Sequence, residues 1–334
     1  MTFSMLKKGA LAVAAVAVCS VIGLATAGAA RAEELKMGLI TPPAHVWTKA
    51  AQRFADTLKE RSNGALTVAI FPGGQLGNEP EMFQQMQAGL LDMGVMTGAL
   101  TSLREPSIQA WFTPFLFANV EQAAAAAKTP AAQQMLANLE KIGLKGLGYS
   151  FAGMRHILKR EGAVDELADL KGRKIRIVPF PAMKVWWEAT GAVPTPVQLP
   201  DIYQALQNGL LDGVDIDLDA LVGSKFHEVA KGLTLTNHMA FPAVAMIGTQ
   251  RWNKLSPAQR ELIVTTMDET LAWATAEQVE AEKRNLATLE AAITVTRLPT
   301  AEAVFSDANA AFDKAFGSNE LIKAFQAQAK AATN

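Results

Sequence analysis

The sequence predicts an α/β fold laid out as two lobes joined by one long helix. Three observations carry this. From Glu33 onward, strand-like and helix-like segments alternate in the order βαβαβ, which builds a largely parallel sheet. The same grammar recurs downstream, and its joints match: Ala88-Gly89-Leu90-Leu91-Asp92 in the first run, Asn208-Gly209-Leu210-Leu211-Asp212 in the second. Each sets a Gly after a helix and an Asp before a strand; coincidence is the competing reading, since such joints are common. Residues 256–292 then read as one uninterrupted helix, roughly 55 Å long at about 1.5 Å per residue and so longer than a lobe is wide. A coiled-coil partner is the alternative, but the apolar positions hold no clean heptad.

Each element has its own signal. Leu35 to Ile40 reads as a strand. Val46 to Arg61 is amphipathic, with Trp47, Ala50, Phe54 and Leu58 at helical spacing. Leu66 to Phe71 is a second strand, closed by Pro72-Gly73-Gly74. Glu79 to Ala88 is a helix ending at Gly89, and Met93 to Met96 a short strand. In the second run, Lys174 to Val178 and Val193 to Val197 are strands, with Trp186 in the helix between them. Ile202 to Asn208 is helical, and Val214 to Leu218 is a strand. Ser256 suits an N-cap, Pro257 the first helical position, and Gln259 completes a capping box for the long helix. After Thr300 the chain is Ala-rich and helical.

The chain has 334 residues, half of them hydrophobic, enough for a large core and two domains. A formal net charge of -1 gives no electrostatic case for nucleic-acid binding. At the N-terminus, Lys7 and Lys8 precede an apolar run over residues 10–27 that ends in Ala30-Arg31-Ala32, the layout of a cleaved secretory signal. The alternative is a membrane anchor, for which the run is short and broken by Gly and Ser. No later stretch is long and apolar enough to span a bilayer. Cleavage near Ala32 removes Lys7, Lys8, Arg31 and no acids, leaving 28 basic against 32 acidic residues, a net of -4. The single cysteine, Cys19, lies inside that segment; Val18 before it is too bulky for a lipid-attachment site. The mature chain therefore has no thiol chemistry and no cysteine metal site.

Common catalytic signatures are missing. Gly148-Tyr149-Ser150-Phe151-Ala152 lacks the second Gly of a nucleophile elbow. His227-Glu228-Val229-Ala230-Lys231 has Lys where a zinc protease needs its second His, and there is no Walker A loop. Gly146-Leu147-Gly148 begins like a dinucleotide fingerprint but meets Phe151 at the third Gly. Catalysis by carboxylates alone stays open.

Several short motifs recur in a telling order: Gln75-Leu76-Gly77-Asn78-Glu79; Thr113-Pro114-Phe115-Leu116-Phe117; Leu170-Lys171-Gly172-Arg173-Lys174-Ile175-Arg176; Gly191-Ala192-Val193-Pro194-Thr195-Pro196; Tyr203-Gln204-Ala205-Leu206-Gln207 followed by Asp212-Gly213; and Lys225-Phe226-His227-Glu228-Val229-Ala230-Lys231 before Thr236-Asn237-His238. Each is weak alone. Together they span nearly the whole mature chain and resemble the dicarboxylate-binding-protein-like solute-binding subunits of tripartite ATP-independent periplasmic (TRAP) transporters. The resemblance implies a two-lobed periplasmic binding protein, type II-like, with a cleft between lobes. Lobe I would take residues 33–152, completed by chain after about residue 240. Lobe II would take residues 153–239; residues 256–292 would form the lobe-spanning helix, and residues 293–334 a C-terminal helical segment.

By the same resemblance, Arg176 clamps the ligand carboxylate. Guanidinium geometry suits that, offering a planar fork of donors that stays charged. On a strand, Ile175 and Ile177 would face the core and Arg176 the cleft; a surface Arg on an edge strand is the competing reading. Arg155 resembles an assisting arginine, with a structural salt bridge as the alternative. Glu79 matches an acid near the ligand, or else simply favours the helix macrodipole. Trp47, Phe180 and Leu199 are candidate wall residues, and one of Trp186 and Trp187 is another. For any one Trp, core packing competes.

Two departures stand out. Ile216 occupies the place of an Asn that contacts ligand in many members, and Arg176-Ile177-Val178-Pro179 lacks the common Asn after the arginine. Asp215, Asp217 and Asp219 alternate, so a strand would set them on one face. Asp215 and Asp217 there are candidate ligands for Ca²⁺ or Na⁺ bridging the bound acid; the alternatives are helix capping or bonds to a ligand hydroxyl. Otherwise no cofactor is expected. Aromatic walls with few amides point to a compact, partly apolar monocarboxylate rather than a polyhydroxylated sugar acid.

The expected function is capture of a small organic acid in the periplasm by a monomer, and its delivery to TRAP permease membrane subunits. The alternatives are a periplasmic enzyme using Glu79 with Asp215 or Asp217, and a protein that presents ligand to a sensor.

Overall fold

Eleven strands sort into two sheets in a computed structural model that describes residues 33–333. The signal-like segment, with Cys19 and the Ala32 junction, lies outside the described residues. In chain order the strands are β1 (Glu33–Gly38), β2 (Leu66–Phe71), β3 (Met93–Thr97), β4 (Leu144–Met154), β5 (His156–Lys159), β6 (Lys174–Ile177), β7 (Val193–Pro196), β8 (Gly213–Ile216), β9 (Gly232–Leu235), β10 (Ala240–Gly248) and β11 (Thr294–Arg297). One sheet runs β2-β1-β3-β10-β4, the other β11-β9-β5-β8-β6-β7.

The two sheets share a plan. β2-β1-β3 and β7-β6-β8 are each parallel, followed in each sheet by an antiparallel strand, β10 in one and β5 in the other. The matched joints noted in the sequence are matched structures. Gly89 and Gly209 both adopt the left-handed conformation (φ 75° and 72°) that ends a helix without a Cβ penalty. Leu91 and Leu211 are buried behind them. Asp92 accepts the Lys36 N–H at 2.8 Å, and Asp212 accepts the Lys174 N–H at 2.8 Å. Each Asp thus pins the middle strand of its parallel trio, β1 in one and β6 in the other.

The chain passes between the sheets at Arg155, where β4 gives way to β5, and again between β9 and β10. The third passage is the helix Pro257–Ala292, one of the long elements legible beforehand, with Ser256 capping Gln259 N and Gln259 returning the bond. It packs on the helix Val46–Arg61 and on β4 in lobe I, and on the helix Leu218–Gly223 in lobe II. Among the described residues, no helix is long and apolar enough to cross a membrane.

Three details differ from expectation. The sheet of lobe I is mixed, because β10 lies antiparallel between β3 and β4. The segment after residue 293 opens with β11, which pairs parallel with β9, before turning helical. The helices that follow divide: Ser306–Phe316 packs on Pro181–Ala189 of lobe II, and Glu320–Thr333 on Val120–Ala126 of lobe I.

Candidate functional site

Where the lobes meet, a cavity holds about 420 Å³ of space between atoms. Lobe I supplies Thr41, His45, Trp47, Glu79 and Thr97. The crossings supply Arg155 and Phe241, and lobe II supplies Arg176, Val178, Gln198, Leu199 and Asp217. The free cavity itself is about 30 Å³, far below the ~300–1,000 Å³ of small-molecule pockets, so the walls stand close together.

Arg176 sits on β6 as its alternation requires: Ile175 and Ile177 point into the core, and the guanidinium reaches the cavity. It is 3% exposed. Its Nε donates to Val197 O at 2.8 Å, and no ion pair engages its Nη groups among the described residues. Burial pushes it down to about 9, opposed by Asp215, Asp217 and Glu79, so it remains a cation at neutral pH. A buried cation with free donors is costly unless an anion meets it.

Arg155 also lines the cavity, and three of its five donors are committed. Its Nε bonds Asp215, its Nη1 bonds Asp217 at 2.9 Å, and its Nη2 bonds the Asp215 carbonyl. The guanidinium lies over the Phe241 ring, 4.3 Å from the centroid. The structural ion pair, the competing reading for this residue, is formed, and two of its N–H groups are left, among the described residues, for the ligand-assisting role.

The three aspartates do not share a strand face. β8 ends at Ile216 and a helix begins at Leu218, so only Asp215 belongs to the strand. Asp215 is fully buried outside the cavity lining and accepts from Arg155, from Trp187 Nε1 at 2.8 Å and from His238 Nε2 at 2.8 Å. Burial alone would raise this carboxyl; Arg155 and His238 outweigh it and hold it below the usual range. Asp217 caps the helix through Ala220 N (2.8 Å) and binds Arg155 with its other oxygen. Asp219 takes Val46 N at 2.7 Å and Asn285 Nδ2 at 3.1 Å. All six carboxylate oxygens are thus engaged by protein donors, and these residues do not fit a Ca²⁺ or Na⁺ site. Asp215 is correspondingly a support for Arg155 and not a wall of the cavity.

Glu79 opens the helix Glu79–Ala88, yet it is 4% exposed, which the macrodipole reading did not anticipate. Its Oε1 accepts Thr97 N at 2.6 Å and its Oε2 accepts Thr97 Oγ1 at 2.9 Å. Burial pushes it up to about 7 despite these bonds and the nearby Arg176.

Among the aromatic candidates, Trp47 walls the cavity, lying near parallel to Phe241 with ring centroids 6.3 Å apart, and Leu199 walls it from lobe II. Phe180 does not reach the lining; it packs on Phe112, centroids 4.3 Å apart. Trp186 and Trp187 are both fully buried: the first stacks on His238 at 4.8 Å, the second bonds Asp215. Thr97, Gln198 and Phe241 escaped the sequence reading. His238 was quoted only as part of a motif; its tie to Arg155 through Asp215 is visible only in space.

Comparison with known proteins agrees with this architecture. Residues 37–317 match the model of the bacterial extracellular solute-binding proteins, family 7. A solute-binding protein of Verminephrobacter eiseniae is 28% identical over 84% of each chain. The 2,3-diketo-L-gulonate-binding periplasmic protein YiaO of Escherichia coli is 30% identical over 71% of this chain and 73% of its own. A TRAP periplasmic solute-binding protein of Bradyrhizobium, solved with galacturonate, superposes with a TM-score of 0.85 at 26% identity, covering 90% of this chain and 100% of that one. The two-lobed chain with a buried arginine in its cleft belongs to family 7 of the bacterial extracellular solute-binding proteins, the TRAP type.

Proposed function

We propose that this protein captures a small organic acid in the periplasm, seating a carboxylate on Arg176, and hands it to the membrane subunits of a TRAP permease without transforming it. The carrying observation is Arg176 itself, a buried cation whose Nη donors face the cavity without an acidic partner. A carboxylate there forms a charge-assisted, bidentate pair. Trp47 and Phe241 supply one wall and Val178 and Leu199 the other, so ligand touches both lobes at once and favours their closed arrangement. The named ligands of two relatives, 2,3-diketo-L-gulonate and galacturonate, are both carboxylates. The apolar half of this narrow cavity favours a compact acid over a bulkier one. The enzyme alternative draws no support from Asp215 and Asp217, whose oxygens are spent on Arg155 and on structure. Export with cleavage near Ala32, and action as a monomer, belong to the same reading.

The test is calorimetric titration of the mature protein with a panel of mono- and dicarboxylates and sugar acids, with recovery of the bound acid unchanged. Removing one partner of a buried charge pair costs about 2–5 kcal/mol, so Arg176→Ala should weaken the best binder by at least about thirtyfold while still unfolding cooperatively. An affinity unchanged in that variant would remove Arg176 from the site.

A further inference from the structure

We propose that anion capture in this cavity is coupled to the uptake of one proton by Glu79. The inference rests on the carboxylate-binding reading above and concerns the charge that the cavity tolerates. Two cations, Arg155 and Arg176, face it or stand at its wall. Against them stand Asp217 in the lining, Asp215 behind Arg155, and Glu79. Arg155 meets both Asp215 and Asp217, and His238 also meets Asp215, whereas Glu79 has no cation within ion-pair distance among the described residues. An entering carboxylate seated on Arg176 therefore brings a second anion toward Glu79, whose partners are the two Thr97 donors. His45 accepts the Trp47 N–H on Nδ1 at 3.0 Å and faces Asp219. Burial lowers His156 to about 3, leaving it neutral. Asp219, from a neighbouring helix, adds only negative charge, and burial raises Glu282 to about 7. The walls are too close for much screening water, so like charges repel strongly.

Glu79 is the group placed to yield. It lines the cavity opposite the free Arg176, and burial already brings it to about 7. Thr97 N donates to one oxygen of Glu79 and Thr97 Oγ1 to the other, while that same Oγ1 accepts from Leu100 N at 3.1 Å. The Thr97 N–H can only donate, so a proton on Oε1 turns away from it, whereas the hydroxyl keeps a lone pair that can accept a proton from Oε2. In either position a protonated Glu79 no longer repels a bound carboxylate. Because the free group titrates near neutrality and the bound one higher, the sign is fixed. Affinity for an anion is greatest below pH 7 and falls above it.

Acetate, ionised across the whole range, is the probe. Its affinity is read from the change in tryptophan fluorescence and its proton stoichiometry in a pH-stat, between about pH 6 and about pH 9. Uptake should be small near pH 6, approach one proton per acetate near pH 8, and accompany an affinity loss close to tenfold per pH unit above 7. Glu79→Gln should abolish both uptake and slope, whatever its absolute affinity. Glu282→Gln, away from the lining, should keep both. Acetate binding with no uptake, or with equal uptake in Glu79→Gln, overturns the coupling and leaves the carboxylate site standing. Acetate failing to bind at any pH overturns both.

Discussion

Asp215→Asn isolates the support of the cleft from the cleft itself. Asp215 accepts from Arg155, Trp187 and His238 in a fully buried position. Asparagine keeps the shape but loses the charge, and it can accept at only one terminal atom. Arg155 is left facing Asp217 alone, and at least one of the three donors loses its acceptor. Breaking a buried ion pair from one side costs about 3–5 kcal/mol. For a chain of this size, roughly 2 °C per kcal/mol converts that to a fall of about 6–10 °C in Tm. Urea unfolding followed by tryptophan fluorescence gives the free energy directly. The pH signature is specific. Asp215 lies below its ordinary range when folded, so the ion pair stabilises fully above the unfolded value and fades as pH falls through the folded one. The gap between wild type and variant should be constant above about pH 5 and shrink below about pH 4. A variant within about 1 kcal/mol of wild type that no longer bound any acid would refute this, and return Asp215 to the ligand.

Other perturbations separate site from scaffold. Arg176→Leu removes a buried cation without an acidic partner, so it should raise ligand-free stability by about 1–2 kcal/mol in urea while abolishing binding; a destabilised variant would mean that Arg176 is structural. Glu282, raised by burial to about 7 from 4.5, should make stability fall as pH rises between those values. Thermal melts of Glu282→Gln should show a shallower decline than wild type. A Cβ at Gly232 would run into the Gly162 carbonyl, so Gly232→Ala should cost about 3 kcal/mol or prevent folding, as read by denaturant titration. Leu90 and Leu210, exposed at matching joints, should accept Ser together with a change within about 0.5 kcal/mol each.

Long elements with clear punctuation were legible in the sequence. The helices Val46–Arg61 and Pro257–Ala292 announced themselves by period, cap and absence of breakers. β7 was readable despite Pro194 and Pro196 because it is an edge strand, where a missing donor does no harm. β10 was not. It is buried along its whole length, so no alternation marks it, and Pro242 argues against a central strand. A register shift between Ala240 and Pro242 accommodates the ring. In the site, the role of Arg176 came from the family resemblance, with strand alternation agreeing only on the side it faces, while the aspartates misled. Their spacing suits a strand face, but the backbone turns helical after Ile216, a change that Leu218-Asp219-Ala220-Leu221 signals only weakly. Phe180, Trp186 and Trp187 looked like walls because aromatic residues suit walls and cores alike; only the path of the chain tells them apart.

The position of β10 has a consequence for how the molecule comes into being. The middle of the first sheet is filled by a strand that begins at Ala240, so β3 and β4 cannot be joined until most of the chain has been made. Likewise β9 gains its outer neighbour only with β11, after the long helix. Neither lobe is a contiguous stretch that can close early, and contacts between distant parts of a chain slow folding because loop entropy is lost before contacts compensate. Nascent chain emerging from the ribosome would therefore stay open until nearly complete. A family that works outside the cytoplasm profits from this: a chain slow to collapse is one that export machinery can still thread. Truncations ending before Gly248 should yield not a smaller binding protein but an unfolded one.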